Sequence, residues 1–286
     1  MPKISFLVST YNSEKYLDRC IRNLMQQTEQ DFEIIIVNPN SQQKDGEIAE
    51  KWAEKDNRIK YIYVPYRENY GNSWIRAWKA SSADYVANAN TDDLRSCDFA
   101  KIMIERTNNA VFQYKKIGFT YSGLWVIDEN DNIIGGGQRP PFDREVFERE
   151  DHAGPSFLWL NKIINEIDLK EAEYFANLYH SAWDYWLILK IISLGYDGLA
   201  IPEQLVYYRQ RKDSIENSSG SKSTYQSLAS ISQFFPDALM RIAKRENNNY
   251  ALDFKDWPYI PPQNEWVDAF SKKVEWNGEK INILEL

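Results

Sequence analysis

The sequence is poor in cysteine, lacks any long apolar stretch and carries no excess of positive charge. Its 286 residues include only two cysteines, Cys20 and Cys97, too few for a disulfide framework and typical of a protein from a reducing compartment. No stretch approaches the roughly 18 consecutive apolar residues of a transmembrane helix, and the first residues lack the apolar region of a signal peptide. We therefore expect a soluble cytoplasmic protein without a transmembrane segment, either free or peripheral at the inner face of the membrane.

Acidic residues outnumber basic ones, 42 to 34, so the formal net charge is −8. A broad electropositive surface for nucleic acid is therefore not expected. Aromatic residues make up 14% of the chain; they can stack on sugars or bases, but packing in cores and interfaces is their more common use. The length and the hydrophobic content of 43% allow one large α/β domain or two small ones.

Up to residue 93, short apolar segments alternate with amphipathic ones. Strands are predicted at residues 4–8, 32–37 and 59–64 and from Tyr85 onward, with an amphipathic helix at 13–27 and further helices before the third and fourth strands. The second strand is almost entirely apolar, as expected of a strand that helices cover on both faces. The β-α-β-α-β-α-β order predicts a parallel, doubly wound sheet.

Beyond Asp98 this alternation ends, and the predicted elements are more varied. They comprise a helix from Asp98 to about Thr107, a strand-to-helix element from Phe157, a helix that begins near Asp184 and closes at Gly195, and short strands at 199–202 and 205–209. The acidic segment at 128–132 is predicted to be a solvated hairpin turn. The glycine- and proline-rich segment at 135–149 is predicted to be a mobile loop.

The composition of the chain changes near residue 216. We assign residues 1–215 to an α/β body with halves at 1–95 and 96–215, and residues 216–286 to a C-terminal extension that is helical and then aromatic-rich. This extension is expected either to cover the body or to join two copies of the chain in a homodimer.

Two adjacent aspartates end the fourth predicted strand, in the segment Asn90-Thr91-Asp92-Asp93. Carboxylates at the carboxyl end of a parallel strand lie where open α/β sheets bind ligands. Carboxylate oxygens are also what Mg²⁺ or Mn²⁺ prefer, and these ions share their coordination shell with substrate phosphates. The segment therefore indicates either a metal–diphosphate site or a polar turn that caps the next helix.

Several motifs, in this order, resemble those of family 2 glycosyltransferases. Residues 9–12 resemble the strand-end turn Pro-Thr-Tyr-Asn of the family, and residues 32–41 resemble its segment FEIIIVDDGS. Residues 69–76 follow its N-x-G…A-R spacing, residues 90–93 take the place of its DxD-type metal motif, and residues 201–209 resemble its late element IPEPLVYYR. The resemblance covers about residues 3–215.

The resemblance implies a GT-A fold, in which a mostly parallel central sheet is flanked by helices. It implies an inverting transfer of a sugar from a nucleotide-diphosphate donor to a glycan hydroxyl, assisted by Mn²⁺ or Mg²⁺ and expected in surface-polysaccharide or other glycan synthesis. Asp92 and Asp93 would be the metal residues, with Asp93 as the direct ligand. Asp184 matches the general base of the family, although a helix cap explains it equally well.

The same resemblance gives the other site residues. Those expected at the donor are Thr10, Tyr11, Asn12, Asn38, Asn40, Arg76, Asn90, Thr91, Asp92, Arg209 and Arg211. The arginines are candidate phosphate contacts because guanidinium pairs bidentately with phosphate, with structural ion pairs as the alternative. Trp159 and Trp183 are the candidate acceptor contacts, since tryptophan can stack on a sugar.

Two departures from the family pattern leave other functions open. Asn38 replaces an acidic residue that commonly reads the donor base, and Asn90 cannot supply a charged metal ligand. A catalytically degenerate module that binds a glycan or a partner is therefore an alternative to an enzyme. A nucleotidyltransferase is a third hypothesis, but the chain lacks the glycine-rich basic loop that such enzymes carry after their first strand.

Overall fold

The computed structural model describes residues 1–113, 116–148, 153–155, 157–178 and 183–211. The predicted extension at 216–286 lies outside these residues. The first half contains β1 (Ile4–Ser9), α1 (Glu14–Met25), β2 (Phe32–Pro39), α2 (Asp45–Lys55), β3 (Ile59–Val64), α3 (Tyr70–Lys79) and β4 (Tyr85–Asn90). The second half contains β5 (Leu94–Arg95), α4 (Phe99–Phe112), β6 (Ile117–Ile127), β7 (Ile133–Gly137), α5 (Arg144–Phe147), β8 (Phe157–Leu160), a 3₁₀ helix (Asn161–Asn165), α6 (Leu169–Leu178), α7 (Trp183–Ser193) and β9 (Asp197–Arg209).

The first four strands form the predicted parallel sheet, in the order β3-β2-β1-β4. Every residue of β2 is buried, which agrees with its nearly uninterrupted apolar sequence. Helices lie on both faces of the sheet, so side chains that point to either face are buried. The prediction of a doubly wound α/β sheet is confirmed.

The second half continues the same sheet with mixed strand directions. β8 runs antiparallel between β4 and β6, while β6 and β9 are parallel. β7 pairs with β6 through the predicted hairpin, and β5 pairs with β9. The full order is β3-β2-β1-β4-β8-β6-β9-β5.

Two sequence predictions in this half are wrong. The segments at 199–202 and 205–209 are parts of the single strand β9, which follows β6 along its whole length with register shifts between Ser122 and Leu124. The segment from Gly135, predicted to be a mobile loop, contains the end of β7 and the short helix α5. The side chain of Asp143 caps α5 by accepting hydrogen bonds from the backbone N–H groups of Glu145 and Val146.

Two apolar clusters hold the sheet from its two faces. On one face, α1, α2 and α4 cover alternate strand residues with side chains such as Leu17, Trp52 and Phe99. On the other face, α3, α6 and α7 do the same with Trp74 and Trp186. Complete burial of a large apolar side chain stabilises a fold by about 1.5–3 kcal/mol, so the paired clusters fix the helices and the turns that connect them to the strands.

The helices within the described ranges agree with the amphipathic segments of the sequence. α1 lies inside the predicted range 13–27, whereas α4 continues past Thr107 to Phe112. The longest of them, α4, has 14 residues and therefore spans about 21 Å. No helix in this part of the chain is both long and apolar enough to cross a bilayer.

Candidate active site

The turns that follow β1, β2 and β4 lie side by side at one edge of the sheet. Ser9, the last residue of β1, pairs with Val37 of β2 and with Asn90 of β4. Because the three strands are parallel and β2 continues only two residues further, to Pro39, the turns that follow them all lie at the same carboxyl edge. Open α/β sheets bind ligands at this edge, and most of the predicted donor residues are grouped there.

A buried carboxylate, Asp45, connects the turns after β1 and β2. It is the first residue of α2 and is fully buried. It accepts hydrogen bonds from the hydroxyl of Thr10, from the backbone N–H of Ser13 at 2.9 Å and from the hydroxyl of Ser41 at 2.8 Å. Sequence reasoning missed this residue, although an acidic residue in the first turn of a helix is a recognisable signal.

Asn38 is buried, with 3% of its surface exposed, and both ends of its amide are used within the protein. Its nitrogen donates to the hydroxyl of Tyr61 at 3.0 Å, and its oxygen accepts from the backbone N–H of Ser41 at 2.8 Å. The side chain therefore shapes the turn after β2. The amide oxygen of Asn40, two residues further on, accepts a hydrogen bond from the hydroxyl of Tyr63 at 3.1 Å.

Asn12 and Asn40 both adopt the left-handed backbone conformation, with φ of 52° and 56°. Asparagine is among the few non-glycine residues enriched in this region. The side-chain oxygen of Asn12 accepts from the backbone N–H of Gln42 at 3.0 Å, and its own backbone N–H donates to the hydroxyl of Ser41 at 3.0 Å. The turns after β1 and β2 are therefore joined by these hydrogen bonds as well as by the buried carboxylate of Asp45.

Tyr11 carries a guanidinium on its ring face. The central carbon of the Arg67 guanidinium lies 3.4 Å from the centroid of the Tyr11 ring, an arrangement that favours a cation–π interaction. Arg67 is exposed, donates to the backbone carbonyl of Glu68 at 2.9 Å, and forms no ion pair within the described ranges. Desolvation by burial lowers the pKa of this guanidinium. Arg67 is a candidate phosphate contact that the sequence motifs did not reveal.

Arg76 is held by a carboxylate of the preceding loop. Its Nε and Nη2 atoms donate to Glu68 at 3.2 and 2.9 Å, and Nη2 also donates to the hydroxyl of Tyr66 at 3.2 Å. The hydrogen bonds to Glu68 raise the pKa of Arg76. Arg76 borders a groove of about 600 Å³ between α3 and α6, which is lined by Tyr66, Arg67, Glu68, Asn69, Asn72, Arg76, Lys79, Glu173 and Asn177.

The two aspartates after β4 are not equivalent. Asp93 is buried, and its two oxygens accept hydrogen bonds from the backbone N–H of Arg209 and from the side-chain nitrogen of Asn90, both at 2.9 Å. Desolvation and the neighbouring charge of Asp92 raise the pKa of Asp93 to about 7. This arrangement does not favour the predicted role of Asp93 as the direct metal ligand, because its carboxylate is buried and both oxygens already accept a hydrogen bond within the protein.

Asp92 is the more accessible carboxylate of the pair, with 20% of its side chain exposed. It forms an ion pair with Arg211, whose Nε lies 3.0 Å from Asp92 Oδ2. The guanidinium of Arg211 also lies over the ring of Tyr16, at 5.2 Å from its centroid. Thr91, which lies between Asn90 and Asp92, is buried, with 9% of its surface exposed. Asp92 and Arg211 thus remain accessible at the edge where the donor residues are grouped.

Arg209 is not available for the predicted phosphate contact. Its side chain is only 1% exposed. The guanidinium donates to the backbone carbonyl of Asp92 at 2.8 Å, to that of Asp128 at 2.6 Å, and to the carboxylate of Asp131. All three of its nitrogens are therefore used inside the protein, and the residue is a structural ion-pair partner.

The acidic turn between β6 and β7 is likewise not simply solvated. Asp131 is buried, with 4% exposed, and it also forms an ion pair with Arg19 of α1. The side chain of Asp128 stabilises the turn by accepting from the backbone N–H groups of Asn130 and Asn132 at 2.8 and 2.9 Å. The prediction of a hairpin turn is confirmed, and its tip at Glu129 and Asn130 is exposed, but the Asp131 side chain is directed into the protein.

Asp184 lies in the first turn of α7, as predicted. It is half-buried, and its Oδ1 accepts a hydrogen bond from the backbone N–H of Tyr185 at 2.9 Å. The positive end of a helix dipole favours an ionised carboxylate at such a position. The residues that precede the helix, including His180, lie outside the described residues.

The two predicted acceptor tryptophans belong to the core. Trp183 is 1% exposed, packs on Trp74 with ring centroids 5.9 Å apart, and donates to the backbone carbonyl of Ala172 at 3.3 Å. Trp159 is fully buried and packs on Trp78 at 5.5 Å. Neither side chain can stack on an acceptor sugar, because both are buried in the apolar cluster on the face of the sheet that α3, α6 and α7 cover.

Comparison with known proteins assigns the chain to a family. The model of the family described as glycosyl transferase family 2 matches residues 5–117. An uncharacterised glycosyltransferase of Methanocaldococcus jannaschii, MJ1057, is 30% identical over 221 residues, which cover 73% of this chain and 71% of that protein. The chain belongs to glycosyltransferase family 2. The glycosyltransferase EpsH of Bacillus subtilis is 36% identical over 105 residues, so the match covers less than a third of that relative, 30% of its length.

Solved structures confirm the predicted GT-A fold of this family 2 glycosyltransferase. S. aureus TarS 1–349 in complex with UDP has a TM-score of 0.60 and 14% identity, covering 92% of this chain and 76% of that one. The mannosyltransferase PcManGT of Pyrobaculum calidifontis, in complex with GDP-Man and Mn²⁺, has a TM-score of 0.53 and 12% identity, covering 84% and 64%. At these identities the likeness concerns the fold.

The residues of the glycosyltransferase fit a cation that is shared with a substrate. Asp92 supplies an accessible carboxylate, the ligand type that Mg²⁺ and Mn²⁺ prefer. In the part of the chain that the structure describes, no group of three or more His, Cys, Asp or Glu side chains is arranged to hold a metal ion. The chain thus offers a partial shell that diphosphate oxygens and water would complete, which is the usual situation for Mg²⁺.

Proposed function

We propose that this glycosyltransferase moves a sugar from a nucleoside-diphosphate sugar to a hydroxyl group of a glycan, with inversion and with the assistance of a divalent cation. The observation that carries the proposal is the position of Asp92. Its accessible carboxylate follows β4 at the carboxyl edge of the sheet, beside the turns after β1 and β2. Sheet topology favours ligand binding at this edge.

The donor would lie across the turns after β1 and β2. The Tyr11 ring and the Arg67 guanidinium stacked on it are the residue types that bind a nucleoside and a phosphate respectively. The complexes of TarS with UDP and of PcManGT with GDP-Man support a nucleotide-linked donor. Arg211 is the second proposed phosphate contact, because its guanidinium is adjacent to Asp92.

We assign the direct metal contact to Asp92 rather than to Asp93. A divalent cation, when bound, would stabilise the negative charge that develops on the leaving diphosphate. Asp93 would fix the backbone of the motif through its bonds to Asn90 and Arg209. The Mn²⁺ in the PcManGT complex supports metal assistance in a protein of the same fold.

Asp184 is the proposed general base. It would accept the proton of the acceptor hydroxyl while the oxygen of that hydroxyl forms a bond to the anomeric carbon of the donor sugar. The bond from the anomeric carbon to the diphosphate oxygen breaks at the same time, and its electron pair leaves with the diphosphate. Attack from the face opposite the leaving group gives inversion.

Other features stay predictions from the sequence. They are the glycan nature of the acceptor, a role in surface-polysaccharide synthesis, a cytoplasmic location and dimerisation through residues 216–286. The acceptor contacts need new candidates, since Trp159 and Trp183 are buried in the core.

A degenerate binding module is the second candidate function. Asn38 uses its whole amide inside the protein, Asn90 carries no charge, and Arg76 is bound by Glu68. Each of these features removes one polar group from the donor site that the family pattern implies.

Thermal-shift measurements with UDP-, GDP- and dTDP-linked sugars, with and without Mn²⁺, test the proposal. A ligand that binds the native state raises the melting temperature, so we expect a metal-dependent rise with at least one donor. Donor hydrolysis or transfer should then be measured for the wild type and for Asp184→Asn, with loss of turnover expected in the variant. Binding without turnover for every acceptor tried would favour the binding module, and absence of binding with all of these donors would contradict the proposed transfer.

A further inference from the structure

The acidic turn between β6 and β7 is connected to the Asp92–Asp93 pair through one buried arginine. We propose that Asp131, the buried residue of this turn, is a positioning residue that sets the geometry of Asp92 for cation binding. This inference rests on the proposed function. It assigns a role to a segment that lies more than thirty residues from the metal motif in sequence.

Asp131 is built into the fold as a bridge between two cations. One oxygen contacts the guanidinium of Arg209 at the end of β9, and the other contacts Arg19 of α1. The residue adopts a left-handed conformation, with φ of 68°, and its backbone N–H donates to the carbonyl of Asp128 at 3.1 Å. Local turn geometry therefore directs the Asp131 carboxylate toward Arg209.

Arg209 in turn contacts both aspartates of the motif. Its Nε donates to the backbone carbonyl of Asp92 at 2.8 Å, and its backbone N–H donates to Asp93 Oδ1 at 2.9 Å. Its Nη1 donates to the carbonyl of Asp128 at 2.6 Å, so the acidic turn holds the other end of the guanidinium. The position of the Asp92 backbone consequently depends on the position of the turn.

Charge gives Asp131 a second effect on the motif. The guanidinium of Arg209 is almost fully buried, and a buried charge without a counter-ion is costly. Without the Asp131 carboxylate, the remaining negative charges close to Arg209 would be the carboxylates of Asp93 and Asp92 in the motif and that of Asp128 in the turn. The arginine would then compete with a divalent cation for the same oxygens. Asp131 pairs with the Arg209 guanidinium and so leaves the Asp92 carboxylate available to the cation.

The test compares nucleotide binding with and without metal in the full-length chain. Calorimetry measures Kd for UDP or GDP, whichever the wild type binds, in the presence of Mn²⁺ and in EDTA. In Asp131→Asn, which keeps the side-chain volume, we expect the Mn²⁺-dependent gain in affinity to fall at least tenfold, whereas Kd in EDTA should change by less than twofold. The Mn²⁺ concentration that gives half-maximal transfer should rise by a similar factor, with a smaller change in kcat at saturating Mn²⁺.

Glu33→Gln is the matched control. Glu33 has the same side-chain exposure as Asp131, 6%, and also pairs with a cation, but it lies at the amino end of β2, away from the site. This variant should lose stability without any change in the Mn²⁺-dependent gain. Arg209→Lys is the second test variant: an ammonium cannot replace the planar fork that spans three acceptors, so it should lower the gain as well.

The results separate the inference from the proposed function. A wild-type gain that persists within twofold in Asp131→Asn and Arg209→Lys would overturn the positioning role and leave the cation site intact. If the wild type itself binds nucleotide equally well in Mn²⁺ and EDTA, the cation site is refuted and the role of Asp131 with it. If Asp131→Asn does not fold, Arg209→Lys decides by the same measurement.

Discussion

Gly71 and Trp183 are in direct contact: a Cβ atom added to Gly71 would lie 2.7 Å from Trp183 Cγ, closer than such atoms pack in proteins. Gly71 is in the first turn of α3, and Trp183 immediately precedes Asp184 in α7. The contact therefore fixes the start of the helix that carries the proposed base against the half of the fold that carries the proposed donor site.

Gly71→Ala is expected to reduce kcat while leaving donor Kd nearly unchanged. Alanine ordinarily favours a helix over glycine by up to about 1 kcal/mol, but overpacking a core costs about 1–3 kcal/mol, so the variant should be less stable. Displacement of Asp184 by a fraction of an ångström would lower kcat by about tenfold or more, given that a 1 Å error can cost about a hundredfold. Steady-state kinetics and calorimetry with the donor nucleotide provide the comparison.

Gly198→Ala is the control for Gly71→Ala. A Cβ on Gly198 would lie 2.6 Å from Phe119 Cζ and 2.7 Å from Phe142 Cδ2, a similar overlap that involves no residue of α7. It should cost comparable stability with an unchanged kcat. An equal loss of kcat in both variants would show that the effect of Gly71→Ala is general destabilisation.

Asp92→Asn and Asp93→Asn are expected to have different effects. Asp92 is the more accessible of the two, and its ion pair with Arg211 is partly exposed to solvent, so Asp92→Asn should abolish Mn²⁺-dependent nucleotide binding with a smaller change in Tm than Asp93→Asn. Asp93→Asn would place an amide against the side-chain nitrogen of Asn90 and leave a buried donor without its acceptor. An unsatisfied buried polar group costs about 1–3 kcal/mol, so this variant should also lose stability in EDTA.

The measurement is thermal denaturation of both variants in EDTA and in Mn²⁺. A normal Tm for Asp93→Asn together with complete loss of the Mn²⁺ effect would return the direct ligand role to Asp93.

Only one of the two thiols is expected to react in the native protein. Desolvation by burial raises the pKa of Cys20 to about 12, so its reactive thiolate is scarce at pH 8. Cys97 is exposed. Titration with a disulfide reagent should give one equivalent for the folded chain and two in denaturant. Two equivalents with similar rates under native conditions would mean that α1 opens readily.

Glu33 is expected to contribute to acid sensitivity. Burial alone would raise its pKa, but hydrogen bonds from Lys60, Ser5 and Ser82 outweigh burial and bring the pKa below its ordinary value of 4.5. A lowered folded-state pKa gives stability that is present above about pH 4.5 and lost as the pH falls through the folded value. The difference in unfolding free energy between the wild type and Glu33→Gln should therefore be largest at pH 7 and decrease below pH 4.5. A difference that is constant down to pH 3 would contradict this.

The parallel half could be predicted from the sequence because its signals are local. Apolar runs such as Ile34 to Val37 end at turn residues such as Asn38, and each run is one strand. β9 could not be predicted in the same way. Pro202 lacks a backbone N–H and resembles a strand end, but in the structure β9 continues through it, and the pairing with β6 shifts register between Ser122 and Gly123.

Several site residues depend on tertiary contacts that no motif records. The Asp45 carboxylate accepts a hydrogen bond from Thr10, 35 positions earlier in the chain, and the Arg67 guanidinium lies over the ring of Tyr11. Arg209 had the residue type of a phosphate contact, and only its burial shows that it serves the acidic turn instead. Charge and residue type can be read from a sequence, whereas the partner that each polar side chain contacts is known only from the fold.

The strand β8 has a consequence for how the chain can be truncated. It covers the outer edge of β4 and simultaneously pairs with β6, although it comes from residues 157–160. A fragment that stops at residue 117, where the family match ends, would expose the backbone N–H and C=O groups of β4 along that edge. Such open edges promote aggregation, so an expression fragment that retains the donor turns must extend at least through β8 to stay monomeric.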